Sequence, residues 1–249
     1  MAKFLLITDL DNTLVGDRHA LEQLNQALMK ARQSQALLLV YSTGRSLASY
    51  KRLRAKEPLL VPDALVTSVG TEIYYGGSTT PDPDWSAKLD QGWQRDDVLS
   101  ITAHFNDLVL QPEADQGPYK VSFYLSSTLA TDLLPRLEVA LHIRGLDVQV
   151  VYSGGKDLDI LPLQGNKGHA MQFLGHQFQV SPEQTVACGD SGNDQSFFRA
   201  GQERGIIVGN ARPELLTWYQ ESAADHHYLA KANCAGGILE GLRHFGFLA

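Results

Sequence analysis

Short continuous apolar runs alternate with amphipathic segments over the first part of the chain. Residues 4–7 and 36–41 are runs of this kind, which are typical of strands buried on both faces of a parallel sheet. Between them, apolar residues recur at helical spacing from Ala20 onward. A second helix is predicted after Ser46, a residue type favoured at the N-cap, and a third apolar run covers residues 64–69. This order predicts an α/β protein with a doubly wound parallel sheet.

The pattern changes in the middle of the chain. Residues 76–84 are rich in Gly, Ser, Thr and Pro, which predicts a linker. Apolar residues at helical spacing then predict a helix over residues 98–108, and strict alternation predicts a strand over residues 119–125. Such alternation is typical of a sheet with one solvated face. The residues predicted on the solvated face are Lys120, Ser122 and Tyr124.

A second helix and a pair of strands complete this middle segment. We expect Thr131 or Asp132 to cap the helix, because Pro135 is tolerated best in the first helical turn. Residues 146–152 and 157–161 predict two strands joined by a glycine turn. The middle segment therefore predicts a small α+β domain inserted into the parallel one.

The parallel pattern resumes after Pro162. A helix is predicted from Lys167, and strands are predicted over residues 185–189 and 205–209. The predicted domains are one core made of two segments and one insert: residues 1–79 with 160–249, and residues 80–159.

Composition narrows the classes of function. The chain has 249 residues and a formal net charge of −7, which argues against nucleic acid or an acidic membrane surface as the main partner. Two cysteines are too few for a disulfide framework and favour a reducing compartment. No apolar run approaches membrane-spanning length, and the apolar run at the N-terminus is too short for a secretory signal. We therefore expect a soluble, cytoplasmic protein.

Two aspartates, Asp9 and Asp11, follow the first predicted strand directly. Adjacent carboxylates repel each other and cost stability unless a cation or a reaction uses them. The alternative is a solvated turn that happens to contain two acids.

The segment Asp225-His226-His227 could suggest a metal site. Adjacent residues of a strand point to opposite faces, however, so we expect these histidines at the surface.

Three further polar clusters occur where a strand ends or a helix begins. They are Thr43-Gly44-Arg45, Lys167, and the segment from Asp190 to Asp194. Ligands of open α/β sheets bind at the carboxyl ends of the strands, so all the clusters can converge there. Carboxylates without His or Cys favour Mg²⁺, and a lysine beside a backbone-rich turn suits a phosphate. One carboxylate could attack phosphorus, and a second could act as acid and base.

The four clusters, in this order, resemble the motifs of the haloacid-dehalogenase-like (HAD) phosphatases. The insert lies between the second and third motifs, as in the branch of that superfamily with a large α/β cap. The resemblance extends to the sucrose-phosphatase family of cyanobacteria and plants, in residues 7–13, 69–74, 153–162 and 215–219. The compact length is similar to the cyanobacterial form, which has no extra C-terminal domain.

The resemblance implies a role for each motif residue. Asp9 would be the nucleophile and Asp11 the acid and base. Mg²⁺ would be held by the Asp9 side chain, the Asp11 backbone carbonyl and Asp190, with Asp194 close by. Thr43 and Lys167 would hold the phosphate and take part in catalysis. The residues expected to bind substrate are Thr43, Gly44, Arg45, Glu72, Tyr124, Lys156, Lys167 and Asn193.

Two alternatives stay open for these residues. Asp190 and Asp194 could cap the helix that follows them, since Asp favours that position. Arg45 could pair only with a surface acid, a contact that is common and contributes little stability.

The implied activity is Mg²⁺-dependent hydrolysis of sucrose 6F-phosphate to sucrose and phosphate through an aspartyl-phosphate. The alternatives are a phosphatase of another sugar phosphate, such as trehalose 6-phosphate or mannosyl-3-phosphoglycerate, and a non-catalytic sugar-phosphate-binding module. Intact Asp9 and Asp11 disfavour the binding module. A monomer is the default expectation, and partnership with a sucrose-phosphate synthase stays open, although no segment of the chain indicates one.

Overall fold

The computed structural model describes residues 3–248, which form two sheets and the helices packed on them. The strands are β1 (Phe4–Thr8), β2 (Leu37–Ser42), β3 (Ala64–Thr67), β4 (Glu72–Tyr75), β5 (Val109–Leu110), β6 (Val121–Tyr124), β7 (Val148–Ser153), β8 (Asp157–Pro162), β9 (Thr185–Gly189), β10 (Arg204–Ile207) and β11 (His227–Leu229). The α-helices are α1 (Arg18–Gln33), α2 (Leu47–Arg54), α3 (Pro83–Leu89), α4 (Arg95–Thr102), α5 (Ser127–Ile143), α6 (Lys167–Phe178), α7 (Gln195–Phe198), α8 (Pro213–Ser222) and α9 (Cys234–His244).

The larger sheet has the strand order β11-β10-β9-β1-β2-β3-β4. Its strands pair in parallel except β4, which runs antiparallel to β3. β1 lies at the centre, with β2 on one side and β9 on the other, so the carboxyl ends of these three strands meet at one edge. The predicted α/β class with a parallel sheet is confirmed.

Helices cover both faces of the larger sheet because the side chains of β1 alternate between two apolar cores. Phe4 and Leu6 pack with residues of α1, α2 and α9, whereas Leu5 and Ile7 pack with residues of α3, α6, α7 and α8. Such two-sided burial explains why β1 is apolar at consecutive positions. The sheet is therefore a rigid support for the polar residues that follow its strands.

The third predicted strand is shorter than expected. β3 ends at Thr67 because Ser68, Val69 and Gly70 have φ angles of 53°, 62° and 106°, which turn the chain back into β4. The antiparallel edge strand β4 was not predicted. Gly70 is required here, since a Cβ atom would lie 2.3 Å from the carbonyl carbon of Asn166.

The smaller sheet has the order β5-β6-β8-β7 and is antiparallel throughout. One face packs on α4 and α5 through residues such as Val121, Leu137 and Leu158. The prediction of a solvated opposite face was wrong for Lys120 and Ser122, which are 4% and 0% exposed. Lys120 lines a cavity between the two sheets, whereas Ser122 is covered by Lys120, Gln116 and Asp159, to which it is hydrogen-bonded.

Helix α5 begins earlier than predicted. Its N-cap is Ser126, so Pro135 lies inside the helix and not in its first turn. A proline inside a helix removes one backbone hydrogen bond. Burial of Ala130, Leu133 and Leu137 on the smaller sheet holds the helix together on both sides of that position.

The predicted division into domains stays a prediction, but two elements bear on its limits. Helix α3 lies within residues 80–159 and packs on the larger sheet, where the Trp85 indole N–H donates to the Gly70 carbonyl at 3.1 Å. Strand β8 continues the smaller sheet to Pro162. Within the described part of the chain, every helix is too short or too polar to cross a membrane.

Candidate active site

Asp9 lies at the centre of the edge where the parallel strands end. Its backbone N–H donates to the Cys188 carbonyl of β9 at 3.0 Å, which continues the ladder by one residue beyond β1. The side chain is 8% exposed at the base of the cavity. The central position of β1 therefore places Asp9 between the residues that follow β2 and those that follow β9.

Lys167, at the start of α6, joins two carboxylates in a buried cluster. Its Nζ donates to Asp9 Oδ1 at 2.7 Å and to Asp194 Oδ1 at 2.7 Å. Asp190 lies beside them and accepts from the Thr13 hydroxyl at 3.0 Å. Carboxylate oxygens of Asp9, Asp190 and Asp194 all lie within 4.8 Å of one another. The three predicted segments therefore converge at one point.

Burial and mutual repulsion shift the ionisation of this cluster. Burial raises the pKa of Asp9 to about 8, with Lys167 opposing the shift and the two neighbouring carboxylates adding to it. Burial also raises the pKa of Asp190 to about 7, and Asp194 adds to that shift. Burial alone would lower the pKa of Lys167, but Asp194 and Asp9 raise it above its usual value. A cation at this cluster would favour the ionised carboxylates, and the oxygen-only donor set suits a hard divalent ion.

Asp194 has a structural role as well as its contact with Lys167. Its Oδ2 accepts from the backbone N–H groups of Asp190 and Ser191 at 3.0 and 3.1 Å, and it forms a capping box with Ser191. The alternative that Asp194 caps the helix after it is wrong, since its side chain makes no cap hydrogen bond at the start of α7; one oxygen accepts from the N-cap residue Ser191 and the other from Lys167. Gly189 permits the arrangement, because a Cβ there would lie 2.4 Å from the Asp194 Cβ.

Asp11 faces the cavity and is held by Arg45. The Arg45 Nε and Nη2 atoms donate to the two carboxylate oxygens of Asp11 at 2.7 and 2.6 Å, and Nη1 donates to the Ser49 hydroxyl at 3.0 Å. The Arg45 backbone N–H donates to the Thr43 hydroxyl at 3.1 Å. Arg45 therefore does pair with an acid, but that acid is Asp11. A bidentate contact fixes the orientation of the carboxylate more strictly than a single hydrogen bond would.

A cavity of about 510 Å³ lies between the two sheets, a size within the range of small-molecule sites. Glu72 is not in its lining and instead accepts from the Thr67 and Ser68 hydroxyls at 2.8 and 3.1 Å. Thr43, Lys167 and Asp194 are buried behind the lining and contact it. The predicted residues that line the cavity are Asp9, Asp11, Gly44, Arg45, Tyr124, Lys156, Asp190 and Asn193.

A polar cluster on the opposite wall of the cavity was not predicted from the sequence. Lys120 Nζ donates to the Ser122 hydroxyl at 2.5 Å and to Asp159 Oδ1 at 3.3 Å, and the Ser122 hydroxyl donates to the same oxygen at 2.6 Å. Gln111 and Asp157 line the cavity next to this group and are joined by a hydrogen bond of 3.1 Å. The available signal was the alternation of polar residues in β6 and β8, whose polar faces coincide when Ser122 pairs with Asp159.

Helices on both faces of a mostly parallel sheet, acids at the ends of its central strands and an inserted antiparallel sheet together define a protein of the haloacid-dehalogenase-like fold. The family model for sucrose-6F-phosphate phosphohydrolase matches residues 2–246. This chain belongs to that family.

Sequence comparison with named phosphatases supports the same family. Sucrose-phosphatase 1 of Nicotiana tabacum is 44% identical over 98% of this chain and 59% of its own length. The chain therefore spans about three-fifths of the plant relatives. Mannosylfructose-phosphate phosphatase of Agrobacterium fabrum is 33% identical over 97% of this chain and 96% of its own length.

Solved structures share the fold. The sucrose-phosphatase of Synechocystis sp. PCC6803, determined in complex with sucrose and phosphate, is 42% identical with a TM-score of 0.93, and the match covers 98% of both chains. A subclass IIB sugar phosphatase of the HAD superfamily is 16% identical with a TM-score of 0.66 over 98% of this chain and 99% of its own. The second likeness concerns the fold alone.

Proposed function

We propose that this chain is a Mg²⁺-dependent phosphatase that hydrolyses sucrose 6F-phosphate to sucrose and phosphate. The observation that carries the proposal is the position of Asp9 and Asp11 at the base of one cavity whose opposite wall is rich in hydrogen-bonding groups. Membership of the sucrose-6F-phosphate phosphohydrolase family and the likeness to a structure that holds sucrose and phosphate support the choice of substrate.

In the first step, one oxygen of Asp9 attacks the phosphorus atom and the ester bond to the sugar breaks. Lys167 holds Oδ1 of Asp9 at 2.7 Å, which leaves the second oxygen for the attack. The product of this step is an aspartyl-phosphate on Asp9. Lys167 is also close enough to offset negative charge on the group being transferred.

Asp11 is the general acid in the first step and the general base in the second. It protonates the departing sugar oxygen, and it then takes a proton from the water that hydrolyses the aspartyl-phosphate. Arg45 donates to both of its oxygens, and these contacts weaken when Asp11 carries the proton, because its negative charge is then lost. Arg45 is thus proposed to orient Asp11, and Thr43 is proposed to support Arg45 and the phosphate from behind.

The acidic cluster fits a divalent cation. Its donors are oxygens only and they are buried, and burial together with repulsion between the carboxylates raises the pKa values of Asp9 and Asp190. The side chains of Asp9 and Asp190 and the Asp11 backbone carbonyl would hold Mg²⁺, with Asp194 close by. When bound, the ion would keep Asp9 ionised and draw charge from the phosphoryl oxygens.

The smaller sheet supplies groups suited to a sugar. Lys120 and Asp159 form a buried pair on the cavity wall, while Tyr124 and Lys156 are more exposed members of the lining. Fixed donors and acceptors of this kind bind hydroxyl groups with strong discrimination, because a wrong ligand leaves them unpaired. We propose that this wall selects the sugar, with Tyr124 and Lys156 as sequence-predicted members and Lys120 and Asp159 as members found from the structure.

The test is phosphate release from sucrose 6F-phosphate with Mg²⁺ and with EDTA. Mannosylfructose phosphate is the second candidate, because a relative named for it aligns over nearly the full length of both chains. Trehalose 6-phosphate, mannosyl-3-phosphoglycerate and fructose 6-phosphate complete the panel. We expect Mg²⁺-dependent release that is fastest with sucrose 6F-phosphate, and loss of release by a factor of about 10⁴ or more in Asp9→Asn, which removes the nucleophile.

A folded Asp9→Asn variant with near-normal turnover would contradict the proposed chemistry. Faster release from another ester of the panel would reassign the substrate and leave the role of Asp9 in place. Absence of release from every ester, in folded protein with Mg²⁺, would favour a non-catalytic sugar-phosphate-binding module.

A further inference from the structure

Glu214 lies at the start of α8, next to the acidic cluster but outside the cavity lining. Its neighbour Arg212 is the N-cap of this helix, and the Arg212 backbone N–H donates to the Asp190 carbonyl at 2.7 Å. The Gln195 side-chain N–H donates to the Glu214 carbonyl at 3.3 Å. The first turn of α8 is therefore fixed to the segment that carries Asp190 and Asp194.

The turn between β7 and β8 brings cavity residues from the other sheet close to this helix. Gly154 and Gly155 have φ angles of 60° and 70°, a left-handed conformation that favours glycine. Ser153, Gly154 and Lys156 line the cavity on the side of the smaller sheet. The position of this turn therefore decides where Lys156 can contact a substrate.

The Glu214 side chain joins the turn between β7 and β8 to helix α8. The Gly154 backbone N–H donates to Glu214 Oε1 at 3.2 Å, a hydrogen bond between residues that are 60 positions apart. Next to this hydrogen bond, the backbone at Gly192 also lies close to the end of β7. A Cβ at Gly192 would lie 2.7 Å from the Tyr152 carbonyl oxygen and 3.4 Å from the Glu214 Cγ. Glycine at position 192 thus allows the end of β7 to contact residues 190–194, which we call the acidic loop.

We propose that Glu214 is a positioning residue that holds the turn between β7 and β8 against the acidic loop while a sugar ester is bound. This inference rests on the proposed function. Glu214 acts through Gly154, which lines the cavity, and does not itself contact the reacting atoms. A hydrogen bond from a backbone N–H to a carboxylate is among the stronger types, so its loss has a measurable effect.

The proposal makes the contribution of Glu214 depend on the substrate. A sugar ester uses the wall of the smaller sheet, including Lys156, and benefits from a turn in the right place. A small ester such as p-nitrophenyl phosphate fills only the end of the cavity near Asp9 and gains nothing from the turn. Glu214 therefore contributes to kcat/KM for the sugar ester alone, whereas a residue needed only for folding would affect both esters alike.

The experiment compares Glu214→Ala with Glu214→Gln, which keeps an oxygen acceptor, and with Glu221→Ala, which removes an exposed carboxylate from the same helix. We expect kcat/KM for sucrose 6F-phosphate to fall about tenfold in Glu214→Ala, by much less in Glu214→Gln and not at all in Glu221→Ala. Hydrolysis of p-nitrophenyl phosphate stays unchanged in all three. Amide hydrogen exchange in residues 153–157 becomes faster in Glu214→Ala only.

The exchange measurement separates this inference from the proposed function, since it requires no substrate. Unchanged exchange in Glu214→Ala, or an equal loss of activity with both esters, would overturn the role of Glu214. If the wild-type protein proves inactive on sucrose 6F-phosphate, the proposed function fails, and faster exchange confined to Glu214→Ala would still support the contact.

Discussion

His227 shows how the fold sets the charge of a single side chain. The Ala224 backbone N–H donates to the Nδ1 atom of His227 at 3.0 Å, so this nitrogen accepts the hydrogen bond and carries no proton. The ring packs on Phe198 and Trp218, with centroid distances of 5.9 and 5.4 Å. Burial lowers the pKa of His227 to about 4, and His226 adds to the shift. The expectation that both histidines lie at the surface was therefore wrong for His227.

A neutral, buried His227 makes stability depend on pH. Between the usual histidine pKa of about 6.5 and the folded value of about 4, the unfolded chain binds a proton that the folded chain does not. The free energy of unfolding therefore falls as the pH is lowered, by about 2 kcal/mol between pH 7 and pH 5. Urea unfolding at these two pH values measures the difference for the wild type and for His227→Gln.

The His227→Gln variant is the reference for this measurement, because carboxylates elsewhere in the chain also titrate in acid. We expect the loss of stability between pH 7 and pH 5 to be smaller in His227→Gln by that amount. Identical pH dependence in the wild type and His227→Gln would contradict the prediction, because it would mean that folding leaves the pKa of His227 unchanged.

At the scale of elements, the junction between α6 and α7 positions Lys167. Gly168 is the second residue of α6, and its backbone N–H donates to the Ser196 hydroxyl at 3.1 Å. A Cβ at this position would lie 2.1 Å from the Ser196 carbonyl oxygen, which is backbone and cannot rotate away. The glycine therefore lets the start of α6 approach α7 closely enough for Lys167 to reach Asp9 and Asp194.

We expect Gly168→Ala to lower the free energy of unfolding by about 2 kcal/mol, because the helices must separate. Activity should fall by a larger factor, on the order of 100-fold, since a displacement of about 1 Å misplaces Lys167. Gly236→Ala is the matched control within α9, where the nearest atom would lie at an ordinary 3.4 Å. Equal stability and activity of both variants would contradict the packing argument.

The strands that could be predicted from the sequence are those that are buried on both faces of the sheet. The runs that form β1, β2 and β9 are apolar at successive positions, so their ends, and the acids that follow, were visible without a structure. The edge strands β4 and β11 are four and three residues long and carry no such run. Lys120 was assigned to a solvated face because alternation shows that a face is polar but not what covers it.

At the scale of the whole molecule, the acidic cluster joins distant parts of the chain. Lys167 and Asp9 are 158 positions apart, and Asp190 and Thr13 are 177 apart. The convergence of the motifs could be predicted because parallel strands place their carboxyl ends at one edge. The pairing of Arg45 with Asp11 could not, since it depends on rotamers at the end of β2.

Binding of Mg²⁺ at this cluster should stabilise the whole fold. Without a cation, Asp9 and Asp190 have raised pKa values of about 8 and about 7, so the free energy of unfolding falls as the pH rises through that range. A bound cation removes the repulsion. At 100 times its dissociation constant it adds about 2.7 kcal/mol, and the gain is larger at pH 8 than at pH 6, where protons compete.

Thermal unfolding with MgCl₂ and with EDTA at the two pH values tests this expectation. The increase in melting temperature should be lost in Asp190→Asn and kept in Asp132→Asn, which alters an exposed carboxylate far from the cluster. A melting temperature that is the same with MgCl₂ and with EDTA at pH 8 would contradict a divalent-cation site at these aspartates.

The central position of β1 also has a consequence for synthesis on the ribosome. β1 can pair with β2 soon after both leave the exit tunnel, but its other neighbour, β9, is made about 180 residues later. The smaller sheet consists of one continuous stretch of chain and can form in the interval. Asp9, the proposed nucleophile, is thus made 158 residues before Lys167, and the acids at positions 190 and 194 follow later still. A nascent chain that stops before α6 contains Asp9 and Asp11 but lacks Lys167 and the acids at positions 190 and 194.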